Sequence, residues 1–207
     1  MKRREFTLGA AAVMLPGLPA WAQSGKGYVE LKQPAPVDAP KGQIEVIEFF
    51  SYGCVHCMNF VPVFDPWIKA APKDVTVRLE HVHFQSSFEP LQRIYYTLLA
   101  MGQVSAVHEK VFKALQVERK RLDKPEVLFP WIAEQGLDRA KFESLYKSFG
   151  VATQARRAMQ LQEDYRVEGT PALGIAGRYY TDGAMAGGFE RMLQITNQLI
   201  EQERKRG

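Results

Sequence analysis

Cys54 and Cys57 are the only cysteines among 207 residues, and Val55 and His56 alone separate them. Two sulfurs at that spacing can close into a disulfide and reopen, passing two electrons to or from another dithiol, or can supply half of a zinc site. Structural zinc takes four protein ligands, and besides His56 the chain offers only His81, His83 and His108, with no second cysteine pair. His81 and His83 would share one face of a strand, but no cysteine or carboxylate completes a ligand set around them, so no metal is expected. An inert structural link is a poor reading, because a disulfide stabilises by closing a long loop and this loop is very short. Redox exchange is the chemistry this pair favours.

Such exchange needs one sulfur held as a thiolate, and the flanking residues supply the means. Residues 44–50 read Ile-Glu-Val-Ile-Glu-Phe-Phe, a β-branched and aromatic strand, and end in Ser51-Tyr52-Gly53, a turn. Past it, Val55, Met58, Val61 and Phe64 recur at helical intervals, predicting a helix over about 55–70 with Cys54 at its N-terminal edge. Unpaired N–H groups and the positive end of the helix dipole favour a thiolate there, and a protonated His56 adds charge or a donor. Pro62 and Pro66 fall inside the helical pattern, and Pro62 is expected to kink it. Glu48 shares strand parity with Val46 and Phe50. On a strand covered on both faces its carboxyl is costly to ionise, so its pKa should rise and it can exchange protons with the sulfur of Cys57.

The order of the remaining elements follows from the same signals. Lys2-Arg3-Arg4, an apolar run from Leu8 to Leu15 and the small-residue stretch up to Ala22 form a secretory signal over 1–22, too short to span a membrane. Arg3-Arg4-Glu5-Phe6 also fits a twin-arginine signal, so export by either route to a bacterial periplasm is expected. With 27 basic against 23 acidic residues, the net charge of +4 lies partly in that signal, and what remains offers no footprint for nucleic acid. An extended lead-in with a short strand at 28–31 precedes the strand at 44–50. A second strand over 75–84, parallel to it, follows the helix. Helical stripes then fill 88–166, punctuated by Gly102, Pro125, Gly136 and Gly150: Phe88, Leu91, Ile94 and Leu98; Val104, Val107, Val111 and Leu115; Leu128 with Trp131; Phe142, Leu145 and Phe149. These read as core, and His108, in a polar helix position, carries no functional weight. A hairpin over 172–175 and 178–181, turning at Ala176-Gly177, and a helix from Phe189 close the chain.

The chain resembles the thioredoxin superfamily, and within it the DsbA family. The matching residues are Glu48-Phe49-Phe50-Ser51, Cys54-Val55-His56-Cys57 and Gly169-Thr170-Pro171. Family members usually carry Pro where Val55 stands here, and often Val where Thr170 stands. The resemblance implies an α/β thioredoxin-like fold, 23–86 and 167–207, interrupted by an inserted helical domain over 87–166. It also implies a cis Pro171 lying against the cysteine pair, with Thr170 exposing its backbone to an extended substrate peptide and tuning partner choice. Glu48 matches the family's proton-exchanging acid. The activity implied is thiol:disulfide exchange in the periplasm by a monomer without a cofactor. It would donate the Cys54–Cys57 disulfide to reduced, unfolded exported proteins and be reoxidised by a DsbB-like quinone-linked membrane protein. A reductase or isomerase of the same fold, and a non-catalytic peptide-binding module, are the alternatives. Isomerases of this type usually add an N-terminal dimerisation domain, for which 23–43 is too short.

Overall fold

The computed structural model describes residues 25–206; the signal over 1–22 lies outside the described residues. Five strands form one mixed sheet: β1 (Val29–Glu30), β2 (Ile44–Phe50), β3 (Val75–His81), β4 (Ala172–Ile175) and β5 (Tyr179–Asp182), in the order β1-β5-β4-β2-β3. β2 pairs in parallel with β3 and antiparallel with β4, so the strand leading to the cysteines has a neighbour on each side. The hairpin β4–β5 turns at Ala176 and Gly177, both with positive φ, and a Cβ on Gly177 would stand 2.5 Å from the Ala35 carbonyl oxygen. Glycine is needed there for space as well as for backbone freedom.

α1 (Val55–Ala70) joins β2 to β3 and runs as one helix through Pro62 and Pro66. Its Phe60 and Phe64 pack on Val46, Leu173 and Ile175, together with Met192, Ile195 and Leu199 of α8 (Phe189–Arg204), which covers that face of the sheet. The other face carries Ile47 and Phe49, packed on Leu161, Tyr165 and Val167. The alternation of β2, apolar on both faces, is thus that of a strand buried in the middle of a layered structure.

Between β3 and β4 run α2 (Glu89–Ala100), α3 (Val104–Phe112), α4 (Pro125–Glu134), α5 (Arg139–Tyr146) and α6 (Phe149–Asp164). A π-helical turn, Lys113–Val117, extends α3, and a short helix α7 (Gly183–Ala186) precedes α8. The stripes read from the sequence meet in one core: Ile94, Leu98, Val107, Val111, Leu128, Ile132 and Phe142, joined by Phe50, Tyr52 and Cys57.

Three expectations are corrected. β3 ends at His81 rather than at 84, because β2 ends opposite it at Phe50 and the ladder has no further partner. Phe149 is 79% exposed and lies outside the stripe it was expected to continue; it opens α6, where Arg156 stacks over its ring. Gly150 does not punctuate the helices, since Ser148 caps α6 by accepting from the Val151 N–H at 3.2 Å and Gly150 falls within its first turn.

Candidate active site

β2 brings the chain out of the sheet at Ser51, which folds the next three residues into a turn. Its carbonyl accepts from the Cys54 N–H at 3.0 Å and its hydroxyl accepts from the Gly53 N–H at 3.1 Å. Tyr52, with no exposed surface, donates its N–H to His81 Nε2 at 3.1 Å. His81 Nδ1 in turn donates to the Val82 carbonyl at 2.8 Å. Both ring nitrogens are therefore spent on main-chain partners, and burial holds the ring neutral by pushing its pKa down to about 3. His83 stands beyond the end of β3, its N–H bonded to Gln162, so the two histidines do not share a strand face.

Cys54 is the residue that caps α1, in extended conformation, and its sulfur accepts from the Cys57 N–H at 3.4 Å. The Cys54 thiol is lowered to about 5. The first cause is donation by the Cys57 S–H; burial opposes it, and Thr170 and the main-chain N–H groups of Cys57 and His56 assist. His56 thus reaches the sulfur through its backbone, while its ring lies exposed at the start of the helix. Cys57, one turn further on, has no exposed surface, and burial pushes its thiol far above the ordinary range. The helix start, the burial of Cys57 and the approach of Thr170 together set two identical side chains apart, one favouring the thiolate and the other the thiol.

The Thr170–Pro171 bond is cis, and the Thr170 carbonyl lies 3.4 Å from Cys54 Sγ. That carbonyl receives the S–H of the neutral thiol. Once the proton has left, a carbonyl offers nothing to an anion, and the Thr170 side chain supplies the stabilising contact instead. Glu48 is 4% exposed, and burial raises its carboxyl to about 8, with the charges of Asp65 and Cys54 adding to the rise. None of the side-chain hydrogen bonds or ion pairs among the described residues engages that carboxyl. The coupling of its charge to both sulfurs places it within electrostatic reach of the pair.

Residues 45–199 match the family described as the DSBA-like thioredoxin domain. The chain belongs to the DsbA family. It is 43% identical over 199 residues to the thiol:disulfide interchange protein DsbA of Bordetella pertussis, covering 96% of this chain and 93% of that one. The DsbA of Pseudomonas aeruginosa is 39% identical over 208 residues, covering 99% and 98%. A crystal structure of Pseudomonas aeruginosa DsbA superposes with a TM-score of 0.84 at 40% identity, over 87% of this chain and 94% of that one. The oxidoreductase DsbA from Xylella fastidiosa gives 0.79 at 29% identity, over 86% and 96%. This DsbA-family chain is accordingly a thiol:disulfide oxidoreductase with a thioredoxin fold.

Two side chains at the site escaped the sequence reading. Gln116 Nε2 donates to the Tyr52 carbonyl at 2.7 Å, and the Tyr52 hydroxyl bonds His108 Nδ1 at 3.0 Å. His108 is no polar surface residue: its ring packs on Phe50, Tyr52 and Phe112, and burial lowers its pKa to about 4. Its position on α3 looked polar because the apolar surface that covers it comes from β2 and the turn, more than fifty residues earlier. Of the residues singled out from the sequence, Cys54, Cys57, Thr170 and Pro171 are brought together, with Glu48 beneath them and the His56 ring at the rim.

Proposed function

We propose that the oxidised protein donates the Cys54–Cys57 disulfide to reduced, unfolded proteins in a bacterial periplasm, which it reaches by way of a cleaved signal over residues 1–22. The observation that carries this reading is the opposed ionisation of the two sulfurs, Cys54 at about 5 and Cys57 pushed far up. A client thiolate attacks Cys54, the S–S bond breaks, and the electron pair goes to Cys57. That sulfur cannot remain an anion in its buried place and takes a proton, for which Glu48, half-protonated near pH 8, is the donor at hand. A second client thiolate attacks the client sulfur of the mixed disulfide, and Cys54 departs as the stable thiolate. The client gains a disulfide; the protein keeps two electrons as one thiolate and one thiol.

His56 adds positive charge at the helix start when protonated. Thr170 and Pro171 present an extended client to Cys54, the Thr170 backbone pairing with it. A groove of about 430 Å3 beside α1, lined by Met58, Val61, Pro62, Phe112 and Val117 and by the charged Glu109, Lys110 and Lys113, offers further surface for unfolded segments. A DsbB-like, quinone-linked membrane protein returns the pair to the disulfide. The helical segment 87–166 acts as an inserted domain that closes over the turn before Cys54.

The test is a trap. A Cys57→Ser variant exported in a bacterial host should accumulate client complexes that run apart on a gel only after reduction, and additional Cys54→Ser should abolish them. Equal complex formation with and without Cys54 would refute the assignment of the attacked sulfur.

A further inference from the structure

The turn that carries Cys54 is tied to the helical segment by side chains that the exchange chemistry does not use. The Tyr52 carbonyl lies beyond the last ladder pair of β2, Phe50 with His81, so no strand can supply it with a donor. It belongs to a residue with no exposed surface, where a carbonyl without a partner costs about 1–3 kcal/mol. The donor comes from Gln116, sixty-four positions away, at 2.7 Å.

Gln116 is delivered there by local geometry. α3 would continue regularly past Phe112, but residues Lys113–Val117 form a π-helical turn. A π turn holds more residues per turn than an α-helix, so it rotates the side chains at its end relative to the regular helix. In this one Gln116 reaches inward to Tyr52 while its neighbour Val117 is 61% exposed. From the regular part of the same helix, His108 takes the Tyr52 hydroxyl. With His81 on the Tyr52 N–H, the residue two before Cys54 has its N–H, carbonyl and hydroxyl each held by a side chain from another element.

We infer that Gln116 is a positioning residue for Cys54: its amide fixes the Tyr52–Gly53 peptide, and through it the seat of the Cys54 sulfur at the start of α1. The inference rests on the exchange reaction proposed above. Its physical basis is that every group stabilising the thiolate acts at short range. The Cys57 S–H, Thr170 and the Cys57 and His56 N–H groups hold the anion only while the sulfur stays where they converge. A loosened turn lets the sulfur leave that place for part of the time, and the thiolate is then favoured less.

Gln116→Met removes the donor at nearly constant length, and Gln116→Leu removes it with a shorter, uncharged side chain. Both are to be compared with the wild type and with Ile132→Val, a mild core change in α4 that touches none of these bonds. The readouts are the thiolate absorbance of Cys54 against pH and the equilibrium with glutathione at pH 7. Both Gln116 variants should show about threefold less Cys54 thiolate on the acid side of the midpoint. Their equilibrium constant should shift about threefold toward the oxidised protein, since the two quantities are linked. Ile132→Val should change neither. A wild-type midpoint near 5 with both Gln116 variants unmoved, or with Ile132→Val moved as much, overturns the inference alone. A wild-type midpoint at the value of free cysteine overturns the exchange reading and this inference with it.

Discussion

Reducing the Cys54–Cys57 disulfide consumes two electrons and as many protons as the reduced pair binds, so the pH dependence of the equilibrium reports the two thiols directly. Cys54 titrates at about 5, and Cys57 stays protonated across the accessible range because burial disfavours its anion. The reduced pair therefore binds two protons below pH 5 and one above it. Each proton per two electrons contributes ~30 mV per pH unit. The reduction potential should fall by ~59 mV per unit below pH 5 and by ~30 mV per unit from there to pH 8. A pair with ordinary thiols keeps the steeper slope to beyond pH 8, and between pH 5 and 7 the two cases diverge by about 60 mV. Water at the partly exposed Cys54 sulfur screens some of this, so ~40–60 mV is the working range.

The assay is equilibration with glutathione buffers from pH 4 to 8, with the free thiols alkylated and counted by mass. The same asymmetry has a consequence for stability. A thiol whose folded pKa is depressed contributes stability that is present above its unfolded value, near 9, and lost as pH falls through about 5. Reduced protein should thus gain on oxidised protein in denaturant unfolding as pH rises from 5 toward 9. A single ~59 mV slope up to pH 8 would refute the account of Cys54, and with it the oxidase direction.

Two further outcomes follow from buried groups. Glu48 is held at about 8 against 4.5 for a free carboxyl, so its burden on stability is absent below pH 4.5, grows between 4.5 and 8, and is constant above. Reduced Glu48→Gln should therefore be more stable than the parent by about 2–3 kcal/mol in urea unfolding at pH 7, the gain vanishing near pH 4.5; a gain independent of pH would contradict the cause given. At Gly174 a Cβ would stand 2.5 Å from the ring of Tyr165, a buried side chain fixed by Phe49 and by its bond to the Gly177 N–H. Gly174→Ala should cost about 2–3 kcal/mol and lower the thermal midpoint by ~5–10 °C, and an unchanged midpoint would mean that Tyr165 moves freely.

What could be read without coordinates was whatever is written in neighbouring residues. The run of 44–50, the turn at Ser51–Gly53 and the 3.6-residue recurrence after it define β2, α1 and the capping place of Cys54, because each depends on the chain within a few positions. The hairpin at Ala176–Gly177 was legible for the same reason. Glu48 was legible as a costly acid from its parity on a strand covered on both faces, and burial holds its carboxyl at about 8.

Tertiary structure decided everything that depends on which distant surface covers a residue. Periodicity marks a face as apolar or polar without naming its neighbour. His108 therefore looked idle although it binds Tyr52, and Phe149 looked buried although it is largely exposed. The length of β3 was set by where its partner stops, not by its own β-branched residues. Gln116 carried no signal at all, since its role arises from a π turn in one element meeting an unpaired carbonyl in another. The two cysteines differ little in sequence context. The fold buries one and leaves the other at the convergence of short-range donors, and ionisation, which responds to solvent and to groups within a few ångströms, follows that placement.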